Sequence, residues 1–173
     1  MRSLCSADAA TTPAFPMSAN TNKLGDGTFG SVYSVNYEGR TCALKIPRLW
    51  TCVSNFANEV LLMERLAGAG GAPEPLGFCP DELAFLMTFC GKYTLKEHLA
   101  RAANSGGLSL QHVLILALRL TERLQEIHRA GFIHCDLKCN NVTLKLDAEG
   151  NLESIHIIDF GLSCRVGDRR PSG

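Results

Sequence analysis

Hydrophobic and polar positions show no period at the start of the chain, and residues 1–21, rich in Ala, Thr, Ser and Pro, are expected to form a flexible leader. Strand patterning begins at Asn22. Residues 29–35 are β-branched and aromatic after a glycine cluster, and residues 40–46 form a second such run. The Tyr37-Glu38-Gly39 turn between them predicts a hairpin, and Pro47 ends its second strand. The period then changes. Phe56, Val60, Met63 and a Leu66/Ala67 shoulder recur at helical spacing, which predicts a helix over 55–66 stopped by Gly68, Gly70 and Gly71. Short strands are expected near 74–78 and 83–88.

Residues 93–103 read as a short helix, with Thr94 as N-cap and Glu97 at capping-box spacing. Ser109 caps a long helix to about Arg129. Its first half, L-Q-H-V-L-I-L-A-L-R-L, is apolar nearly all round, which predicts burial on several sides. After Ala130-Gly131 a hairpin is expected, with strands near 142–146 and 154–158 joined through 147–151. There is no internal repeat.

The 173 residues are 46% hydrophobic and 20% charged, ordinary values for a globular chain. Seventeen Lys and Arg balance 17 Asp and Glu, so no global field draws the chain to nucleic acid or to an anionic membrane, and neither partner is expected. No apolar run reaches the ~18 residues of a spanning helix. The N-terminus lacks the apolar core of a secretion signal. The eight cysteines contain no CxxC pair, and Cys135 and Cys139 are spaced CxxxC, which does not match a structural zinc site. They are expected to be small buried thiols of a reducing compartment, cytoplasmic or nuclear.

Candidate chemistry begins at L-G-D-G-T-F-G-S-V-Y. Gly25, Gly27 and Gly30 fit G-x-G-x-x-G, in which the absence of a Cβ lets backbone approach phosphate. A dinucleotide fingerprint would open a helix. Here a strand follows, so the segment reads as a strand-turn-strand flap. In C-A-L-K, Lys45 stands among apolar residues on a strand. A lysine held against phosphate needs a carboxylate to fix it, and the next helix offers Glu59, with Glu64 as its rival. These two differ by five positions, so they point about 140° apart and only one can face Lys45. Phe56, Val60 and Met63 flank Glu59, which favours it. The segment I-H-C-D-L-K-C-N-N-V-T-L places Asp136, Lys138 and Asn141 in one short loop. A carboxylate there can accept the proton of a hydroxyl, a lysine can neutralise a phosphoryl group, and an amide oxygen suits a hard cation. I-D-F-G, with Asp159, supplies a second carboxylate at a strand end.

In order and type these four motifs resemble the eukaryotic protein kinase family: glycine-rich loop, strand lysine, H-R-D-x-x-x-x-N and D-F-G. The likeness covers residues 22–165. It implies an α+β, protein-kinase-like bilobal fold, with a β-rich N-lobe over 22–89 carrying one helix, a partial, mainly helical C-lobe over 90–165, and a disordered tail over 166–173. It implies ATP and Mg²⁺ as cofactors and an unidentified protein as substrate. Lys45 would contact the α and β phosphates and pair with Glu59, Asp136 would be the catalytic base, and Lys138 a γ-phosphate contact. Asn141 and Asp159 would hold Mg²⁺. Leu24 and the loop glycines Gly25, Gly27 and Gly30 would border the nucleotide, and Val32 and Ala43 would roof its adenine. Residues 85–90 would form the strand and hinge, with Met87 as gatekeeper and Thr88 to Cys90 giving backbone hydrogen bonds. The run D-L-K-C-N-N resembles that of Ser/Thr kinases of tyrosine-kinase-like type.

Two features depart from the pattern. The Arg of H-R-D is Cys135, and a thiol cannot pair with an activation-loop phosphate as that Arg does. The chain also ends twelve residues after Gly161 (173 − 161), before any A-P-E element, so a C-terminally truncated domain is expected, with the leucines of 110–120 accessible on one side. Two other readings remain open on the sequence: a non-catalytic, nucleotide-binding regulator, and a small-molecule phosphotransferase of kinase-like fold.

Overall fold

The computed structural model describes residues 2–3, 21–27, 30–48, 53–79 and 83–168. Most of the expected leader and the last five residues of the expected tail lie outside them. The chain divides into two compact units, Met1–Glu64 with Glu74–Phe89, and Arg65–Pro73 with Cys90–Gly173.

The first unit is built on a six-stranded sheet. Its strands are β1 (Arg2–Ser3), β2 (Asn22–Asp26), β3 (Gly30–Tyr37), β4 (Arg40–Pro47), β5 (Pro75–Cys79) and β6 (Ala84–Thr88), in the order β1-β5-β6-β4-β3-β2. Its pairings are antiparallel except β1 with β5. The β3–β4 hairpin turns through Glu38 (φ 50°) and Gly39 (φ 76°), the two positive angles that a two-residue turn of matching twist demands. Asn36 Oδ1 accepts from the Gly39 N–H at 3.1 Å and fixes that turn.

Strand alternation then sorts the side chains. Val35, Cys42, Leu44, Ala84 and Leu86 form a buried cluster on one face. The register pairs Val32 with Lys45 and Lys45 with Phe85, and Ala43 with Ser34 and with Met87, which puts these residues on the other face. Helix α1 (Val53–Leu66) lies on that second face, where the Phe56 ring meets Phe85 edge-on at 4.8 Å. It ends where Ala67 (φ 46°) and Gly68 (φ 80°) turn left-handed.

The second unit contains β7 (Tyr93–Thr94), α2 (Leu95–Asn104), α3 (Leu110–Arg129), β8 (Phe132–Ile133), β9 (Val142–Leu146), β10 (Leu152–Ile157) and β11 (Cys164–Arg165). They form a three-stranded sheet, β10-β9-β7, and a two-stranded one, β11-β8. Both helix starts are capped as their sequences predict. Thr94 and Glu97 exchange the two bonds of a capping box, and Ser109 Oγ accepts from the His112 N–H at 3.2 Å. Leu116, Val142, Leu144 and Ile155 form the core between α3 and the β9–β10 hairpin.

The expectation that α3 is buried on several sides does not hold. Leu116 and Ile127 are its buried residues, while Leu110, Leu114 and Leu118 are 75%, 59% and 60% exposed. Apolar side chains ring the helix, but only the stripe through Leu116 and Ile127 meets the hairpin and the 3-10 turn Ala69–Gly71. The accessibility of the leucines of 110–120 on one side, also expected, is observed. No helix among the described residues is long and apolar enough to cross a membrane.

Candidate active site

In the first unit, Lys45 and Glu59 meet. Lys45 Nζ lies 2.7 Å from each carboxylate oxygen of Glu59, and the two residues are 5% and 3% exposed. β4 delivers the lysine and α1 the glutamate, 14 positions apart. Glu64, the rival, points to solvent. Desolvating two charges is unfavourable unless they are paired, so this bidentate contact offsets the burial of both side chains. Val32, Ala43 and Met87 share the sheet face of Lys45. Four residues expected at the nucleotide therefore lie on one surface by register alone.

The three loop glycines separate into two kinds. A Cβ on Gly30 would overlap the Ile46 carbonyl, so this glycine is required by the close approach of β3 to β4. Among the described residues, a Cβ on Gly25 would meet no atom within 4 Å, and one on Gly27 would meet the Gly30 carbonyl at 3.7 Å. Packing among the described residues makes no demand for glycine at these two. Between them Asp26 carries Lys23 at 2.9 Å and Arg48 at 2.6 Å. The bonds from Lys23, Ser31 and Arg48 hold its carboxyl well below the ordinary carboxylate range. Leu24, in β2, is half-buried.

Of the expected hinge residues, Met87 is buried. The Thr88 N–H donates to the Glu74 carbonyl at 3.0 Å, and Thr88 Oγ1 accepts from the Glu74 N–H at 2.9 Å. In the second unit, Cys90 is buried and its carbonyl accepts from Thr143 Oγ1 at 2.6 Å.

The second unit gathers the other polar residues. Asp136 Oδ2 accepts from Lys138 Nζ at 2.6 Å and from Asn141 Nδ2 at 3.0 Å, and Asn141 Nδ2 also donates to the Asp136 carbonyl at 2.9 Å. The bond from Lys138, more than that from Asn141, lowers the Asp136 carboxyl below its usual range, so it is a carboxylate at neutral pH. The loop is held from beneath by His134, which is 1% exposed. Its Nε2 lies 2.9 Å from the Ile158 carbonyl and its Nδ1 lies 3.3 Å from the Asp136 N–H. A carbonyl only accepts and an N–H only donates, so the ring is the neutral Nε2–H tautomer. Burial pushes its pKa down, in agreement. Phe160 packs on the ring at 4.9 Å. Asp159 follows Ile158 with φ 65°, a left-handed conformation that non-glycine residues seldom adopt and that recurs at functional turns.

His134 is the residue that motif reading passed over. It stands in the H-C-D triplet, and it ties the strand end before Asp159 to the loop of Asp136. Thr143 likewise gave no signal, since its bond to Cys90 spans 53 positions. The expectation of buried thiols holds for Cys42, Cys79 and Cys90. It fails for Cys139, which is exposed, and for Cys135 and Cys164, which are half-buried. Cys5 and Cys52 lie outside the described residues.

A family model described as protein kinase domain matches residues 18–171, most of the chain. The chain belongs to the protein kinase family. Membership defines it as a phosphotransferase of a class that uses ATP and a divalent metal on protein substrates. The donor set of the second unit fits such a metal. Asn141 commits its amide nitrogen to Asp136, so its other amide atom is an oxygen, and Asp159 adds a carboxylate. Both are hard donors of the kind Mg²⁺ takes alongside phosphate oxygens.

Proposed function

We propose that the chain transfers the ATP γ-phosphoryl group to Ser or Thr hydroxyls of proteins. The observation that carries this reading is the Lys138–Asp136 contact of 2.6 Å. It puts an ionised base and a cation in one loop, as in-line transfer from a hydroxyl requires. As the hydroxyl oxygen bonds to the γ-phosphorus and the bond to the β-phosphate oxygen breaks, Asp136 accepts the hydroxyl proton and ADP leaves. Lys138 then moves its charge from Asp136 to the phosphoryl oxygens. Lys45, fixed by Glu59, holds the α and β phosphates, and the backbone at Gly25 and Gly27 can approach them closely because neither carries a Cβ. Asn141 and Asp159 hold Mg²⁺, which neutralises phosphate charge when bound. Leu24, Val32, Ala43 and Met87 pack on adenine, and the backbone of Thr88 and Cys90 hydrogen-bonds it.

The lysine at 138 supports the Ser/Thr assignment, because D-L-K-x-N-N is the pattern of Ser/Thr kinases. Retention of every phosphate and metal residue argues against a solely regulatory role. A panel of Ser, Thr and Tyr peptides beside small alcohols and aminoglycosides tests the reading. Label from γ-labelled ATP should enter Ser and Thr peptides. Label confined to Tyr peptides or to small alcohols would overturn the assignment.

A further inference from the structure

Cys135 and Cys164 come together in the second unit, with their sulfurs 3.4 Å apart. The backbone holds them there from both sides. β11 pairs with β8, with Cys164 opposite Ile133 and Arg165 opposite Phe132. The Val166 N–H donates to the Gly131 carbonyl at 2.9 Å, and Ser163 Oγ donates to the His134 carbonyl at 3.0 Å. Cys135 follows His134 in a left-handed conformation, φ 63°. A disulfide needs sulfurs about 2.05 Å apart, so the pair must close by only about 1.4 Å, within reach of side-chain rotation. Both thiols are half-buried and accessible to a small oxidant, whereas Cys42, Cys79 and Cys90 are buried. An Arg, which the family motif has at position 135, could form no such bond.

We propose that Cys135 and Cys164 are a reversible redox modification site whose oxidant is a hydroperoxide and whose product is an intrachain disulfide. One sulfur attacks a peroxide oxygen and the O–O bond breaks, giving a sulfenic acid and one water. The second thiol attacks the sulfenic sulfur, the S–O bond breaks, and a second water leaves. Two thiols lose two electrons and two protons, and hydrogen peroxide is reduced to two waters. A dithiol reverses the step by exchange. The bridge ties β11, which follows Asp159, to the residue before Asp136. On the reading of Asp136 as base, oxidation therefore restricts the loop that carries it.

The test is a disulfide map of the folded full chain after treatment with hydrogen peroxide, digested without reductant and read by mass spectrometry. The expected result is a dominant Cys135–Cys164 linked peptide, lighter by two hydrogens than the reduced pair and lost on adding dithiothreitol. It should persist in Cys139→Ser and vanish in Cys164→Ser. A dominant Cys135–Cys139 link, or Cys135 and Cys164 recovered as thiols or separate oxyacids, would overturn the proposal. The wild-type map decides the matter even if Cys164→Ser fails to fold, and it does so whether or not the chain transfers phosphate.

Discussion

Replacing Lys45 by Met removes the cation from a carboxylate that is itself only 3% exposed. Lys45 Nζ donates to both Glu59 oxygens at 2.7 Å, on a sheet face otherwise made of Val32, Ala43, Phe85 and Met87. Breaking a buried pair by removing one partner costs about 3–5 kcal/mol, whereas replacing both by apolar groups of similar volume is near neutral. Total stability of a domain is typically about 5–15 kcal/mol, so the single change is severe. Lys45→Met and Glu59→Leu should each lower the urea midpoint strongly. Their double mutant should recover much of the loss, with a coupling of about 2 kcal/mol or more between the sites. Equilibrium unfolding of the four proteins, followed by circular dichroism, completes the cycle. Single effects that add to within about 0.5 kcal/mol would refute the argument that the pair stabilises itself against desolvation.

Other consequences can be checked separately. Gly30→Ala should destabilise the fold by about 1–3 kcal/mol through overlap with the Ile46 backbone, while Gly25→Ala should leave the melting temperature unchanged and weaken ATP binding in calorimetry. Leu116→Ala should cost about 2–5 kcal/mol, and Leu114→Lys on the exposed face of α3 no more than about 0.5 kcal/mol, in denaturant titrations. His134 and His156 both have pKa values pushed below 6.5, first by burial, so the unfolded chain binds more protons than the folded one below that pH. Their stability contribution is complete above 6.5 and falls as pH drops through the lowered values. Asp136 and Asp147 add a second loss below 3.8, where their hydrogen-bonded carboxylates protonate. A flat unfolding midpoint from pH 7 to pH 5 would contradict the histidine part.

The sequence revealed those features that depend on neighbours close along the chain. Thr94 and Glu97 are three residues apart, and their capping box needs only that spacing. Glu38-Gly39 carries its own turn geometry. The choice of Glu59 over Glu64 followed from helix rotation, and α1 obeys it. What stayed hidden depends on contacts distant in sequence. The short strands β8 and β11 are two residues each, too brief for any period, and they exist only because residues 132–133 and 164–165 meet. The Cys135–Cys164 contact follows from that pairing. At Gly30 the close approach of β3 to β4, which demands glycine, leaves no trace in the local sequence. For α3 the pattern shows that apolar residues surround the axis, but pattern carries no information on which face finds a partner.

Phosphoamino-acid analysis tests the proposed chemistry most directly. The folded chain is incubated with Mg²⁺, ATP labelled in its γ-phosphoryl group and a mixed protein substrate, beside an Asp136→Asn variant. The account predicts labelled phosphoserine or phosphothreonine from the wild type, and a rate lower by about 10²-fold or more when the base at 136 is lost. Equal labelling by the variant, or label found only in phosphotyrosine, would contradict it.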